Sequence, residues 1–333
     1  MKLLSIVVPI YNSQKWLPDC LSSLLLQDLD HTEYEIVCVD DGSTDASAQI
    51  VSDFCEKYGN VRLLQKKNGG VSDARNMGLE YICGKYVWFV DSDDLVRPNC
   101  MGFLKKILEM HEPETLSFNI KPVPEEYKIA ADNETLEYAV DAALKSYNNV
   151  YAAIIRVDLI QAHGIRFKNG LHYGEDTLFQ YHVYMYRMGK LPSITVKNDL
   201  YYYRQQGDSA MHHRSAGAYD KHVQDLITLA RIYKKDYDDK IVDDEKKLGE
   251  VKLRQYMAIE GALTILPKSQ YACKTFINSL KEEGLYPYPV MLWKVKKAKG
   301  FKQKLVAFCR SLFGMSLFYK AYYSLCKFMR IGA

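Results

Sequence analysis

The sequence lacks the features that mark secreted, zinc-binding and membrane-spanning proteins. Its eight cysteines include no Cys-x-x-Cys pair and no Cys/His cluster at zinc spacing, so we expect buried or free thiols in a reducing compartment. No apolar run reaches the roughly 18 residues of a membrane-spanning helix. The N-terminal MKLLSIVVPIYN has a short apolar run and no small-residue cleavage site, unlike a signal peptide. These absences predict a protein that is cytosolic or attached to a membrane from the cytosolic side.

Two nucleotide-binding motifs are also missing. No Gly-x-Gly-x-x-Gly follows the first apolar run, which argues against a Rossmann dinucleotide site, and no Gly-x-x-x-x-Gly-Lys-[Ser/Thr] is present, which excludes a P-loop. The composition, 48% hydrophobic and 26% charged over 333 residues, is that of a globular protein with one large domain or two smaller ones.

Acidic residues are absent from the end of the chain. Residues 284–333 contain ten Lys or Arg and no acid, whereas the rest of the chain carries 34 basic and 41 acidic residues. Apolar or weakly polar residues recur every three or four positions from Phe301 to Met329, which predicts one stripe along a helix. We therefore expect segment 291–333 to bind an anionic membrane surface. The alternative is a helix packed on the body; nucleic acid is not an expected partner, because no motif for it is present.

Strand and helix patterns alternate through the first part of the chain. Continuous apolar runs predict strands, and apolar residues at helical spacing predict helices. The predicted strands are 4–10, 34–39, 61–65 and 85–90, and the predicted helices are 14–26, 43–58 and 71–82. Ser43 or Thr44 is expected to cap the second helix, and Gly84 to stop the third. This order predicts an α/β fold whose parallel strands are covered by helices on both faces.

Polar loops follow each of the four predicted strands. Parallel strands place their carboxyl ends at one edge of a sheet, where ligands bind in open α/β folds. We therefore expect acids, an Arg, glycines and an aromatic residue to line one cleft. The loops are Pro9-Ile10-Tyr11-Asn12, Asp40-Asp41-Gly42-Ser43-Thr44-Asp45, Asn68-Gly69-Gly70-Val71-Ser72-Asp73-Ala74-Arg75-Asn76 and Asp91-Ser92-Asp93-Asp94.

The last of these loops contains three acids, Asp91, Asp93 and Asp94. Crowded carboxylates repel one another unless a cation joins them. Mg²⁺ or Mn²⁺ commonly takes one or two carboxylates together with substrate phosphate oxygens, so the Asp-x-Asp pair predicts a divalent-metal site. The alternative is an acidic turn in which Asp94 caps the following helix.

Taken in order, the four loops resemble the motifs of family 2 glycosyltransferases of the GT-A fold. The resemblance is strong over roughly residues 4–100, continues more loosely through Gly174–Phe179 and Tyr201–Arg204, and fades after about 215. It implies a mixed, mostly parallel sheet flanked by helices, with a C-terminal helical extension. The implied segments are a nucleotide-sugar-binding half (1–100), an acceptor-binding half (101–215), the helical extension (216–290) and a basic amphipathic tail (291–333).

The resemblance also implies roles for individual residues. A nucleoside diphosphate sugar, expected to be a UDP-sugar, would be bound by Pro9, Tyr11, Asp40, Asp41, Arg75, Asp91, Ser92 and Arg204. A Mn²⁺ or Mg²⁺ ion would be bound by Asp93, Asp91 and His212. The base that deprotonates the acceptor hydroxyl would be Asp176, with Glu175 as the second candidate. In the alternative interpretations, Glu175 and Asp176 merely favour a helix N-terminus, Arg204 forms a salt bridge at a strand end, and His212 is a surface residue.

The activity implied is that of an inverting, metal-dependent glycosyltransferase at the cytoplasmic face of the cell membrane. Its acceptor would be a hydroxyl of a saccharide or of a polyprenyl-diphosphate-linked saccharide in the synthesis of a cell-surface polysaccharide such as a capsule or exopolysaccharide. Two alternatives stay open at this point. One is a Mg²⁺-dependent phosphohydrolase with Asp91 as nucleophile, and the other is a non-catalytic nucleotide-sugar-binding subunit.

Overall fold

The structure, a computed structural model, describes residues 2–123, 135–141, 149–187, 192–205, 216–270 and 273–285. The chain forms two compact units. The first comprises Met1–Leu171 and Glu175–Gln206, and the second comprises His172–Gly174 and Gly207–Ala333. The predicted division of the chain into donor, acceptor, extension and tail segments stays a prediction. The tail, residues 291–333, lies outside the described residues.

Strands and helices alternate in the first unit, as the sequence predicts for its first hundred residues. In chain order they are β1 (Lys2–Ile10), α1 (Leu17–Leu25), β2 (Tyr34–Asp40), α2 (Ser47–Lys57), β3 (Val61–Gln65), α3 (Val71–Tyr81), β4 (Gly84–Phe89), β5 (Leu95–Val96), α4 (Met101–His111), β6 (Thr115–Pro122), β7 (Tyr138–Asp141), β8 (Ala153–Arg156), α5 (Val157–Ala162), α6 (Glu175–Tyr186) and β9 (Ser193–Tyr203).

Within the described residues, these nine strands form one mixed sheet in the order β3-β2-β1-β4-β8-β6-β9-β5, with β7 paired to β9. The four strands β3, β2, β1 and β4 are parallel to one another. Beyond β4 the pairing is antiparallel except between β6 and β9. Short connections cannot join parallel strands, so a helix follows each of the first three strands, and the carboxyl ends of β1, β2 and β4 meet at one edge.

The two faces of the sheet bury separate apolar clusters. Alternate residues of β1 enter each cluster: Ile6 and Val8 pack on one face and Val7 on the other, as the two-residue period of a strand requires. The first cluster includes apolar residues of α1 and α4, and the second includes residues of α3, α5 and α6. Because both faces of β1, β2 and β4 are covered, these strands are largely apolar, which is why the sequence identified them, whereas the edge strand β3 is partly exposed.

Two local predictions are wrong. Helix α2 begins at Ser47, whose N–H donates to Asp45 Oδ1, while Ser43 and Thr44 instead bond Asn12 in the preceding loop. Helix α3 ends at Tyr81, close to the predicted end at Ile82, but Gly84 does not stop it. Gly84 begins β4, where a Cβ would lie 2.7 Å from the backbone nitrogen of Ser5 and 2.8 Å from the carbonyl carbon of Leu4. Close strand approach, and not helix termination, therefore explains this glycine.

The described part of the second unit is helical. Its helices are α7 (Ala216–Asp238), α8 (Glu245–Ile265) and α9 (Cys273–Glu282), and α7 and α8 pack on each other. Asp244 caps α8 by accepting the Lys247 N–H at 3.0 Å. The buried Asp225 of α7 accepts the backbone N–H groups of His172 and Tyr173, both at 3.1 Å. Among the described residues of the whole chain, no helix is long and apolar enough to cross a membrane.

Candidate functional site

The ends of β1 and β2 lie side by side, with Ile10 paired to Asp40. The chain leaves β1 through Asn12, whose positive φ of 52° turns its side chain toward the loop after β2. Tyr11 lies between Ile10 and Asn12, and its side chain is 52% exposed. Its ring is therefore accessible to a ligand at this edge, whereas Pro9 is buried inside β1.

Asp41, at the end of β2, forms hydrogen bonds to the loop after β3. Its buried carboxylate accepts the N–H groups of Gly69 and Gly70 at 2.9 and 2.7 Å and the ammonium of Lys66 at 2.6 Å. Gly70 has a positive φ of 90° and directly precedes α3, so the loop turns sharply into that helix. The neighbouring Asp40 accepts the N–H of Ser43 at 3.0 Å. The two acids thus hold the loops that follow β2 and β3, and Asp41 retains accepting capacity for a further donor.

Arg75, in the second turn of α3, is buried with three carboxylates around it. Its guanidinium donates to Asp176 Oδ1 at 2.6 Å and to Asp91 Oδ1 at 2.9 Å, and lies 3.6 Å from Glu175 Oε1. The side chain is only 3% exposed and packs over the ring of Phe167. Burial alone would lower the pKa of Arg75, but the adjacent carboxylates raise it overall, so the side chain stays charged. One buried cation therefore joins the Asp-x-Asp turn to the predicted base.

Glu175 and Asp176 form the first turn of α6. Burial, and then the charge of Asp176, raises the pKa of Glu175 to about 7. Burial also raises the pKa of Asp176, and Arg75 opposes that rise. Phe179 buries the same helix by stacking on Phe167 at 4.0 Å between ring centroids. Of the two acids, Asp176 is the one that Arg75 holds closely, at 2.6 Å against 3.6 Å for Glu175.

The Asp-x-Asp turn holds its acids in different environments. Asp91 is 27% exposed, Asp93 is half-buried and Asp94 is buried. Burial, and then the charge of Asp91, raises the pKa of Asp93 to about 6. Asp94 does not cap a helix, because α4 begins only at Met101; its carboxylate instead accepts the Tyr201 hydroxyl and the Arg204 N–H. Ser92 is buried and its hydroxyl lies 2.6 Å from that of Ser13.

Arg204 follows the last strand of the sheet and is anchored twice. Its guanidinium pairs with Asp19 at 2.8 Å and lies 4.4 Å from the centre of the Trp16 ring. Its backbone N–H bonds Asp94, so it lies beside the Asp-x-Asp turn. A salt bridge at the end of a strand is thus present, as the alternative interpretation expected, and contact with a diphosphate stays a prediction. His212 lies outside the described residues.

Comparison with known proteins identifies the family to which this chain belongs. The family described as Glycosyl transferase family 2 matches residues 5–161. Glycosyltransferase GlyG of Streptococcus pneumoniae is 30% identical over 225 residues, which cover 63% of this chain and 73% of GlyG. The chain belongs to glycosyltransferase family 2. The prediction of a glycosyltransferase is therefore confirmed.

A second relative of this family 2 glycosyltransferase is much longer. Poly(ribitol-phosphate) beta-N-acetylglucosaminyltransferase TarS of Staphylococcus aureus is 30% identical over 237 residues, which cover 70% of this chain but only 40% of TarS. The chain therefore spans less than half the length of that relative.

Solved structures confirm the GT-A fold of the family 2 glycosyltransferase. Residues 1–349 of S. aureus TarS, in complex with UDP-GlcNAc, match with a TM-score of 0.66 at 21% identity, covering 100% of this chain and 92% of that chain. Mannosyltransferase PcManGT from Pyrobaculum calidifontis, in complex with GDP-Man and Mn²⁺, matches with a TM-score of 0.54 at 15% identity, covering 99% and 85%.

The acids of the family 2 glycosyltransferase fit a divalent cation held jointly by protein and substrate. The pKa of Asp93 is raised by burial and by Asp91, which indicates negative charge that a cation would offset. Within the described residues, no group of three or more His, Cys, Asp or Glu is arranged to hold a metal by itself. An ion at Asp91 and Asp93 would therefore complete its shell with substrate oxygens, which is how Mg²⁺ usually binds.

Three residues that contact the site were not identified from the sequence. Tyr201 contacts Asp94, Lys66 contacts Asp41, and Phe167 packs against the guanidinium of Arg75. Tyr201 stands in a run of three tyrosines, and nothing in that run distinguishes the one that bonds the turn. Only the pairing of β9 with β5 selects it. Lys66 directly follows β3 on the predicted edge, so the strand-end rule could have identified it.

Stability of the metal-free enzyme is expected to depend on pH through Asp93. Because the folded pKa of about 6 exceeds the ordinary value of 3.8, the native state retains a proton that the unfolded chain has released. The group therefore costs no stability below about pH 4, destabilises the native state progressively as pH rises from about 4 to 6, and adds no further change once both states are deprotonated. In EDTA, the melting temperature of the wild type should fall relative to that of Asp93→Asn between about pH 4 and 6 and then stay at a constant difference. A difference between the two proteins that is already constant across that pH range would contradict this account.

Proposed function

We propose that this enzyme is an inverting, metal-dependent glycosyltransferase that moves a sugar from a UDP-sugar to a hydroxyl of a saccharide or lipid-linked saccharide. The single observation that carries the proposal is the Arg75 cluster. Arg75 lies 2.6 Å from Asp176 and 2.9 Å from Asp91, so the proposed base and the proposed metal-binding turn share one buried cation. A single displacement needs this proximity, because the acceptor oxygen that the base deprotonates attacks the same sugar carbon that the diphosphate leaves.

In the proposed reaction, the carboxylate of Asp176 takes the proton of the acceptor hydroxyl. The acceptor oxygen forms a bond to the anomeric carbon while the bond from that carbon to the diphosphate oxygen breaks, and its electron pair leaves with the nucleoside diphosphate. One displacement of this kind inverts the anomeric configuration. Arg75 orients Asp176, and its positive charge favours the carboxylate form of that side chain.

The donor would lie across the edge formed by β1, β2 and β4. Tyr11 would pack against the nucleotide base, with Pro9 beneath that ring. Asp41 would accept a hydrogen bond from the nucleotide base, while Asp40 orders the adjoining loop. Asp93 and Asp91 would hold Mn²⁺ or Mg²⁺, with His212 as a further proposed ligand. Such an ion offsets the charge that develops on the leaving diphosphate. Support for UDP comes from the TarS structure with UDP-GlcNAc, which covers the whole of this chain.

The donor site would also use Arg75, Ser92 and Arg204. Arg204 is held beside the turn by Asp19 and by its bond to Asp94, so its guanidinium needs only a short movement to meet a diphosphate. We also propose a cell-surface polymer as the final product, at the cytoplasmic membrane face. The name of TarS, a poly(ribitol-phosphate) glycosyltransferase, and the ten cations without acids in 284–333 support this.

Product analysis tests the proposed function. The enzyme would be incubated with Mn²⁺, a panel of UDP- and GDP-sugars, and saccharide or polyprenyl-diphosphate-linked saccharide acceptors. We expect acceptor-dependent release of UDP from one UDP-sugar and a product of inverted anomeric configuration by NMR. Retention of configuration, inorganic phosphate released from simple phosphate esters, or donor binding without turnover on any acceptor would each contradict the proposal.

A further inference from the structure

Tyr201 joins the two ends of the Asp-x-Asp turn. Its hydroxyl donates to Asp94 Oδ2 at 2.6 Å and accepts the backbone N–H of Asp91 at 3.1 Å. The turn is closed by a further bond from the Asp94 N–H to the Asp91 carbonyl at 3.1 Å. Ser92 and Asp93 lie between these two fixed residues. The direction of the Asp93 carboxylate therefore depends on a hydroxyl located 108 positions further along the chain.

The position of Tyr201 is itself fixed by β9. Strand β9 pairs with β5 directly after the turn, Val96 opposite Tyr201, and the Arg97 N–H donates to the carbonyl of Leu200 at 2.9 Å. The Tyr201 ring is fully buried and stacks on Tyr151 with centroids 4.7 Å apart and planes at 16°. A ring packed in this way cannot follow a displaced turn, so the hydroxyl is a rigid reference point.

Asp94 is fully engaged on the side of β9. One carboxylate oxygen accepts the Tyr201 hydroxyl, and the other accepts the Arg204 N–H at 2.8 Å. The side chain is buried, whereas Asp91 is partly exposed. Of the three acids, Asp94 is thus the one turned toward the protein, which separates its role from that of the Asp91 and Asp93 pair.

We propose that Tyr201 is a positioning residue that sets the Asp-x-Asp turn for a divalent ion and diphosphate, and that Asp94 links Tyr201 to the turn without ligating the ion. The inference rests on the proposed function, because it assumes that Asp93 binds the ion. Without the hydroxyl, the Asp91 N–H and the Asp94 carboxylate each lose a buried partner, and the turn relaxes away from its binding geometry.

Titration of Mn²⁺ against Tyr201→Phe tests this role. With UDP as the probe and calorimetry as the measurement, the Mn²⁺ concentration that gives half-maximal UDP binding should rise about 10-fold in the variant, the loss expected for unpaired buried groups. UDP binding in EDTA should change much less, because the proposed contacts of Tyr11 and Asp41 with the nucleotide base lie on other loops. Tyr203→Phe is the matched control: it removes a hydroxyl from the same strand, one bonded by Gln205 and not by the turn, and should match the wild type.

Further outcomes separate the positioning role of Tyr201 from the proposed UDP donor. An unchanged Mn²⁺ requirement in Tyr201→Phe would overturn the inference, whereas wild-type enzyme that binds no UDP at any Mn²⁺ concentration would overturn the proposed UDP donor. If Tyr201→Phe does not melt cooperatively, Asp94→Asn carries the test, since one amide oxygen cannot replace two carboxylate acceptors. The double variant should lose less than the combined losses of the two single variants, because both changes break the bond between Tyr201 and Asp94; fully additive losses would contradict the inference.

Discussion

Replacement of Asp176 by Asn is expected to lower kcat by about 10³-fold, within the range that a general base contributes. The amide has nearly the same shape as the carboxylate but cannot accept the proton of the acceptor hydroxyl. Donor affinity should change little, because the nucleotide loops are held by Asp41 and not by α6. Steady-state rates, calorimetric donor binding and a cooperative melt would be measured on the same preparation.

Glu175→Gln is the matched control for this prediction. Glu175 is the neighbouring acid on α6, lies 3.6 Å from Arg75 and has a pKa raised to about 7. We expect its loss to reduce kcat by less than about 10-fold, because Asp176 keeps its own contact with Arg75. A reversal, with Glu175→Gln inactive and Asp176→Asn active, would assign the base to Glu175. Full activity in both variants would show that the general base does not lie on α6.

Replacement of Asp93 by Asn is expected to have an effect of similar size for a different reason. The variant loses the charge that holds a divalent ion against the diphosphate, so activity should fall by about 10³-fold, comparable to the loss of a main electrostatic contributor. Unlike Asp176→Asn, it should also abolish the Mn²⁺ dependence of UDP binding. The two variants therefore separate base chemistry from metal binding by calorimetry alone.

Asp53→Asn controls for the change in net charge. Asp53 lies on α2, where its exposed carboxylate accepts only the amide of Gln49 at 2.8 Å among the hydrogen bonds of the described residues. Its replacement should leave both activity and Mn²⁺ dependence unchanged. Wild-type activity of Asp93→Asn in EDTA-treated, metal-free buffer would refute metal dependence altogether.

The sheet edge was predictable from sequence because three of its strands, β1, β2 and β4, are buried on both faces. Apolar runs such as Ile6–Val8 cannot be mistaken for amphipathic helices, and each is followed by polar residues that must then share one edge. Helix caps were less predictable. Asp45, Ser43 and Thr44 are all good capping residues, but Ser43 and Thr44 bond Asn12 and α2 begins after Ala46, with Asp45 accepting the Ser47 N–H.

The later strands could not be ordered from sequence. Strand β6 pairs with β9, which begins 78 residues further on, and the register shifts at Asn119. Nothing in the local pattern encodes such a pairing. The contacts of Tyr201 with the Asp-x-Asp turn depend on this strand order, and so they appear only in the folded chain.

Arg75 shows the same limit inside the site. Its sequence position, in the loop and helix after β3, predicted a ligand-facing residue, and the structure brings it to Asp91 and Asp176, 16 and 101 positions away. Sequence spacing identifies the residue types that can gather at an edge. It does not show which cation joins which acids, and that arrangement is what the proposed chemistry depends on.

The central claim is that a divalent ion joins Asp93 to the diphosphate of the donor. Crystals soaked with MnCl₂ and UDP, measured for anomalous scattering at the manganese edge, test it most directly. The account predicts one strong peak in coordination contact with an Asp93 carboxylate oxygen and with diphosphate oxygens. UDP bound at this edge with no manganese beside Asp93 or Asp91 would contradict it.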